Sequence, residues 1–401
     1  MLAKLYKKIL LNYLGKIQYG SLIFVDQETL SFPMKKNTIH ENDREMYAEI
    51  HVEDPRFYRY AVLRQELGIA EAYVLGYWTS PNLTAVFRLF LNNREALDSF
   101  SVTSFLASAK QKWELFRHRN TFKGSQKNIS AHYDLSNDLY QLFLDKKLMY
   151  SSAVFSHEHA DLDEAAEFKL KQICDKLKLN ENDHIIEIGT GWGGFAVYAV
   201  QNYGCHVTTT TISKKQYDYA CALIKRLHLE DKITVLFEDY RNLEGQYDKL
   251  VSIEMIEAVG YQYFDQFFSK CSELLKPSGQ MFLQAIVMND QEYERSKNNL
   301  DFIKKYIFPG SCLPSKKVIN ECIAEYTNLK LWHLDDIGLH YAKTLKLWCD
   351  RFNANAKEVL KIGFSEDFLR LWNYYFSYCE AGFAERYISD LQLFYIKPHA
   401  S

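Results

Sequence analysis

Apolar positions along the chain change period several times, and each change predicts an element. Leu2, Leu5, Tyr6, Ile9, Leu10 and Tyr13 recur at helical spacing with Lys4, Lys7 and Lys8 between them, which predicts a basic amphipathic helix over residues 2–14. Short β-rich runs over 17–33 around Asp26-Gln27-Glu28 predict a hairpin, and 45–53 predicts a further strand. Pro55 to Leu67 and Leu83 to Ser108 carry helical spacing, separated by Ala70 to Trp78 and the turn Ser80-Pro81-Asn82. These elements predict a small α+β domain over 1–116, followed by a polar, basic linker over 117–131.

From residue 132 the pattern becomes an alternation of strand and helix. Leu162 to Leu179 predicts a helix and 184–188 a strand. Cys205 to Thr211, Lys214 to Leu227, Ile233 to Phe237, Lys249 to Ile253, Tyr261 to Leu275 and Gln280 to Val287 then alternate with short connections. That order predicts an α/β fold, a doubly wound Rossmann-like domain over 132–401 built on a parallel sheet. An insertion over about 289–330 has a turn-rich centre, Tyr306-Ile-Phe-Pro-Gly-Ser-Cys-Leu-Pro-Ser315. Residues 340–386 read as helical and aromatic, and Leu391 to Ile396 as a last strand.

The chemistry starts at His184-Ile-Ile-Glu-Ile-Gly-Thr-Gly-Trp-Gly-Gly194, a strand running into a glycine-rich turn and then a helix. Glycine there lets the backbone approach a ligand, and strand ends in such sheets are where ligands bind. A phosphate-binding loop would follow its glycines with Lys-Ser/Thr, and Gly193-Gly194-Phe195 supplies neither. A dinucleotide site would use the G-x-G-x-x-G spacing with an acid about 20 residues on. Here the glycines fall at 189, 191, 193 and 194, and the next strand ends in threonines 208–211. Glu187, a carboxylate just before the glycines, suits the ammonium of S-adenosylmethionine, which is the cofactor expected.

Composition narrows the partners. Lys plus Arg number 48 against 51 Asp plus Glu, a net charge of −3, so no basic field argues for nucleic acid. Aromatic residues make up 15%, enough for a large core or an apolar pocket. The eight cysteines form no CxxC pair and the start does not read as a secretory leader, so free thiols in a reducing cytoplasm are expected. No run of 18 apolar residues predicts a membrane span, and no Cys/His spacing predicts a metal.

Five stretches in order resemble the cyclopropane-fatty-acyl-phospholipid synthases: His132-Tyr-Asp-Leu, Tyr150-Ser-Ser-Ala, Glu187-Ile-Gly-Thr-Gly-Trp-Gly-Gly, Thr211-Ile-Ser-Lys-Lys-Gln and Tyr306-Ile-Phe-Pro-Gly-Ser-Cys-Leu-Pro. Gly68-Ile-Ala-Glu-Ala-Tyr and Gly76-Tyr-Trp resemble the same family's lipid-binding domain. The resemblance implies insertion of the S-adenosylmethionine methyl carbon across a cis double bond of a phospholipid acyl chain. It further implies a cytoplasmic homodimer working peripherally at the membrane's inner leaflet. A bound bicarbonate is implied as base, carried by Ser152, Glu257, Gln284, Ile286 and Tyr341, and the family's C-terminal cysteine matches Cys379.

Gly189, Gly191 and Gly193 are then expected at the cofactor's amino-acid end, with Tyr133, Tyr150 and Ser151 closing over it. Thr211 and Gln216 are expected at the ribose, and Asp239 with Tyr240 at the adenine. Tyr133, Tyr150 and Tyr341 are candidate aromatic faces for cationic centres. Cys379, among Tyr374, Tyr375, Phe376 and Phe383, reads as a packed thiol more than a nucleophile. Better-known bacterial members carry Cys in place of Ser152 and His in place of Gln284. The Gln form, with Glu254-Met-Ile-Glu-Ala-Val-Gly, resembles plant cyclopropane synthases and related bacterial methyltransferases. A fatty-acyl C-methyltransferase making methyl branches therefore stands as the alternative.

Overall fold

The computed structural model describes residues 2–32, 46–97, 120–121, 124–125, 128 and 136–399. They form two compact units. The first carries a four-stranded sheet in the order β2-β1-β3-β4. Strands β1 (Ser21–Asp26) and β2 (Glu28–Phe32) form the expected hairpin, turning at Gln27 with φ 54°. Strand β3 (Tyr47–Val52) runs parallel to β1 and pairs with the short β4 (Trp78–Thr79). Period-two burial turns Leu22, Phe24, Ala48 and Ile50 inward, where Phe24 meets Phe57 of the helix Arg56–Val74 at 6.4 Å. The N-terminal helix Leu2–Leu14 buries Leu10 and Leu14 and leaves Leu2 and Leu5 exposed. The helix expected over 83–108 is seen as Leu83–Asn92 and Arg94–Leu97, and 98–108 lie outside the described residues.

The contiguous domain boundaries at 116 and 132 need correction. Residues 301–303 and 345–387 cluster with 1–111, while 112–300, 304–344 and 388–401 make the second unit. The helix Glu366–Ala384 explains the exchange, because its aromatic face is satisfied within the first unit. Tyr374 lies 5.6 Å from Tyr73 and 4.8 Å from Phe87, and the Tyr378 hydroxyl donates to Glu66 at 3.0 Å. Sequence order alone does not record such a return of the chain.

The second unit is built on seven strands: β5 (His184–Ile188), β6 (His206–Thr211), β7 (Ile233–Phe237), β8 (Tyr247–Ile253), β9 (Leu275–Met288), β10 (Lys330–Asp336) and β11 (Ile388–Ile396). Their order is β10-β11-β9-β8-β5-β6-β7. Helices Leu162–Lys176 and Gly194–Tyr203 cover one face through Leu170, Ile173 and Phe195. The helix Phe264–Glu273 covers the other through Phe267, Phe268 and Cys271. Strands β5 to β9 pair in parallel as expected, and the last strand, β11, whose direction the sequence pattern leaves open, runs antiparallel to both β9 and β10. Alternating polarity marks a strand without giving its direction, and the edge strand β10 buries none of its apolar residues, with Leu331, Trp332 and Leu334 exposed.

Strand order reverses between β5 and β8, and the ligand crevice of an open α/β sheet forms beyond the strand ends at such a point. The glycine turn fills that position. Gly189, Gly191 and Gly193 hold φ of 107°, 52° and 88°, the left-handed region that glycine enters without a Cβ penalty. Gly194 is needed for closeness instead, because a Cβ there would stand 2.8 Å from Lys147 O and 2.6 Å from Met149 Sδ. The segment leading to Tyr150 is thus laid directly on the turn. We expect Gly194→Ala to cost about 1–3 kcal/mol of stability, read as a lower denaturation midpoint; an unchanged midpoint contradicts this packing.

Candidate active site

A cleft of about 1080 Å³, including its mouth open to solvent, is lined by Gly189, Gly191, Glu187, Gln216, Tyr240 and Glu254 among others. The turn is pinned to the neighbouring strand, with Gly189 N–H and Thr190 N–H donating to Thr210 O at 3.1 and 3.0 Å. Behind it, the Thr209 hydroxyl lies 2.6 Å from Glu187 Oε2 and 2.8 Å from Thr190 Oγ1. With one proton to give, Thr209 donates to the carboxylate and accepts from Thr190. Burial pushes the Glu187 carboxyl up to about 8.

Toward the far end, Ser213 caps the helix Lys214–Arg226, and Thr211 Oγ1 donates to Gln216 Oε1 at 2.9 Å. This orients the buried Gln216 amide. The Asp239 carboxylate is gripped by Arg241 through Nε at 2.8 Å and Nη2 at 2.6 Å. Arg241 Nη1 also donates to Asn120 O at 3.3 Å. Asn120, Ser125 and Arg241 line the cleft and carry no motif in the sequence. Tyr150 lies in the cleft wall beside Tyr140, with ring centres 5.3 Å apart. Ser151 accepts a 2.6 Å bond from the buried Lys169 Nζ. Tyr133 lies outside the described residues.

Beyond the end of β8, three of the five residues expected to hold bicarbonate converge on a group not assigned that role, Glu254. Its Oε1 accepts from Ser152 N–H at 2.8 Å and from Gln284 Nε2 at 2.7 Å, and its Oε2 accepts from the Tyr341 hydroxyl at 2.7 Å. The second proton of the Gln284 amide goes to Asp390 Oδ2 at 2.8 Å, and the Ser152 hydroxyl donates to Ala153 O at 2.9 Å. Ile286 N–H is taken by Glu257 Oε1 at 2.6 Å. Each donor that bicarbonate would use is spent on a side chain or carbonyl of the chain itself. Glu257 Oε2, buried without a partner, is left over, and a lone acceptor does not make an oxyanion pocket. With their donors engaged in this way, the residues do not fit the expected bicarbonate.

Three carboxyls share this low-dielectric site. Burial raises Glu254, Lys169 and the Tyr341 bond pulling it back; burial and the Glu254 charge push Glu257 up to about 8. Burial and both neighbouring carboxylates hold Asp390 well above its usual range. Glu254 and Asp390 escaped the sequence reading: Glu254 stood in a quoted motif whose role went to Glu257, and Asp390 lies on β11 just before the 391–396 segment read as a strand. Cys379 belongs to the first unit, not to the unit holding this cluster, and burial raises its thiol far above the ordinary value.

A seven-stranded sheet of this order, with a glycine turn after the inner strand β5, is that of a class I S-adenosylmethionine-dependent methyltransferase. Residues 120–393 match the family described as mycolic acid cyclopropane synthetase, and the chain belongs to that family. It is 34% identical over 355 residues to the cyclopropane-fatty-acyl-phospholipid synthase of Escherichia coli strain K12, covering 87% of each chain. Tuberculostearic acid methyltransferase UfaA1 of Mycobacterium tuberculosis is 33% identical over 336 residues, covering 81% of this chain and 78% of that one. The solved mycolic acid cyclopropane synthase CmaA1, complexed with SAH and CTAB, is 31% identical with a TM-score of 0.63, covering 68% of this chain and 98% of that one.

At neutral pH the Glu187 carboxyl is mostly protonated, and a ligand ammonium set against it would draw that proton off. S-adenosylhomocysteine binding should therefore release up to one proton per site below about pH 8 and tighten by up to about tenfold per pH unit there. Calorimetry in buffers of different ionisation enthalpy reads this directly. Glu187→Gln should abolish the release; equal release by the variant contradicts the assignment.

Proposed function

We propose that this enzyme adds the S-adenosylmethionine methyl carbon to a cis double bond of a phospholipid acyl chain and closes a cyclopropane ring. The observation that carries the reading is one cleft wall that holds both the glycine turn and a donor-cradled carboxylate, Glu254. Similarity to the Escherichia coli synthase over 87% of both chains supports the lipid substrate.

When bound, S-adenosylmethionine supplies an electrophilic methyl on a sulfonium. Gly189 and Gly191 hold its amino-acid end, with Glu187 facing the ammonium and Tyr150 and Ser151 covering it, while Gly193, outside the cleft lining, caps the following helix. Thr211 and Gln216 serve the ribose, and Tyr240 the adenine; Asp239 fixes Arg241 at that end. An isolated alkene is a poor nucleophile, so the chain contributes alignment and exclusion of water. The Tyr150 ring, in the cleft wall, offers a π face to a developing cation.

The first unit supports delivery from a membrane surface. Leu2 and Leu5 are 68% and 52% exposed beside the exposed Lys4 and Lys8, an apolar and basic helix end suited to an anionic bilayer. This helix end supports a peripheral contact with the cytoplasmic leaflet; among the described residues no helix is long and apolar enough to cross a membrane.

Similarity to the tuberculostearic acid methyltransferase favours a second reading, in which the same cation yields a methyl branch. Incubation with methyl-labelled S-adenosylmethionine and cis-unsaturated phospholipid vesicles, then proton NMR of the released acyl chains, separates the two. Cyclopropane signals with loss of the olefin are expected. A labelled branch supports the second reading, and unlabelled lipid overturns both.

A further inference from the structure

The Glu254 backbone is as unusual as its side chain. Its φ is +49°, in the left-handed region that a residue with a Cβ enters at a cost, and such strain persists where the surroundings over-determine it. The Glu254 N–H is fixed to Gln284 O at 2.8 Å, and that strained geometry delivers the carboxylate to three donors: a backbone N–H, an amide and a phenol. A carboxylate and a bicarbonate present the same pair of oxygens at a common carbon. The side chain thus occupies the arrangement of donors that a separate oxyanion would need.

The cluster's other members keep it there. Gln392 Nε2 donates to Gln284 Oε1 at 3.2 Å, so the Gln284 amide cannot flip without losing that bond. The buried Lys169 ammonium attracts Glu254 and Asp390, supplying the positive charge that favours one ionised carboxyl. Glu254 also lines the cleft shared with Gly189 and Gly191, whereas Glu257 is tied to Ile286 N–H and, through its carbonyl, to Cys312 N–H at 2.8 Å.

We propose that the Glu254 carboxylate, held by Ser152 N–H, the Gln284 amide and the Tyr341 hydroxyl, is the built-in general base of this enzyme and replaces a bound bicarbonate. The proposal rests on the lipid reading above. In the ring-closing step a C–H bond of the methyl group now on the acyl chain breaks. Its electron pair forms the C–C bond to the cationic carbon, and the proton passes to a Glu254 oxygen. The proton later leaves through the cleft, which is open to solvent.

Two variants and one anion test this. Glu254→Gln keeps the shape and removes the basicity, so ring formation should fall by roughly 10²–10⁴-fold while calorimetric S-adenosylhomocysteine affinity stays within about threefold. Glu254→Gly suits the left-handed backbone and frees the three donors. Its ring formation should be lost in CO₂-stripped buffer and partly restored by added bicarbonate. Wild-type protein should work at the same rate in both buffers. Carbon-13 NMR of labelled bicarbonate with the S-adenosylhomocysteine complex should show binding to Glu254→Gly and none to wild type. Wild-type activity that disappears on CO₂ removal and returns with bicarbonate, or bicarbonate bound by wild type, overturns the base assignment and leaves the lipid reading standing. Wild-type protein that makes no lipid product in either buffer overturns the lipid reading and the base assignment with it.

Discussion

Carboxyl groups crowded together away from water cannot all remain ionised, and Glu254, Glu257 and Asp390 are in that position. Burial raises all three, and each negative charge raises its neighbours further. Among the described residues the buried Lys169 is attracted to Glu254 and Asp390, its own ammonium disfavoured by burial. Ionisation settles where charge-assisted hydrogen bonds are most numerous, which is at Glu254 with three donors on its two oxygens.

The sheet is what makes that crowding possible. Glu254 follows β8, Gln284 lies on β9 opposite Ile253, and Gln392 lies on β11 opposite Gln284. Asp390 sits two residues earlier on the same strand, opposite Ile286, whose N–H holds Glu257. An antiparallel β11 inserted beside β9 is therefore part of the chemistry as well as of the core. The glycine turn after β5 opens into the same cleft, so methyl-donor site and carboxylate share one wall without a long relay.

The α/β class, the glycine turn and most strands were legible because they rest on local pattern: β-branched runs, glycines after a strand and short connections. What stayed hidden depends on contacts between distant segments. The helix Glu366–Ala384 reads as helical from its own sequence, but its partners lie about 300 positions earlier, as the Thr84–Glu380 bond shows. The edge strand β10 lacks a buried face, and strand direction has no signature in alternation. The site divided the same way. Glu187, Gly189 and Gln216 line the cleft as expected. Two carboxylates three positions apart gave no hint of which would receive the donors, because that follows from the left-handed turn at Glu254.

Whether a side chain or a free ion sits on those donors is visible in electron density. A crystal structure of the S-adenosylhomocysteine complex grown with bicarbonate would decide it. The account predicts the Glu254 carboxylate bonded to Ser152 N–H, Gln284 and Tyr341, with no separate density between them. A trigonal ion on those donors, with Glu254 turned aside, would contradict it.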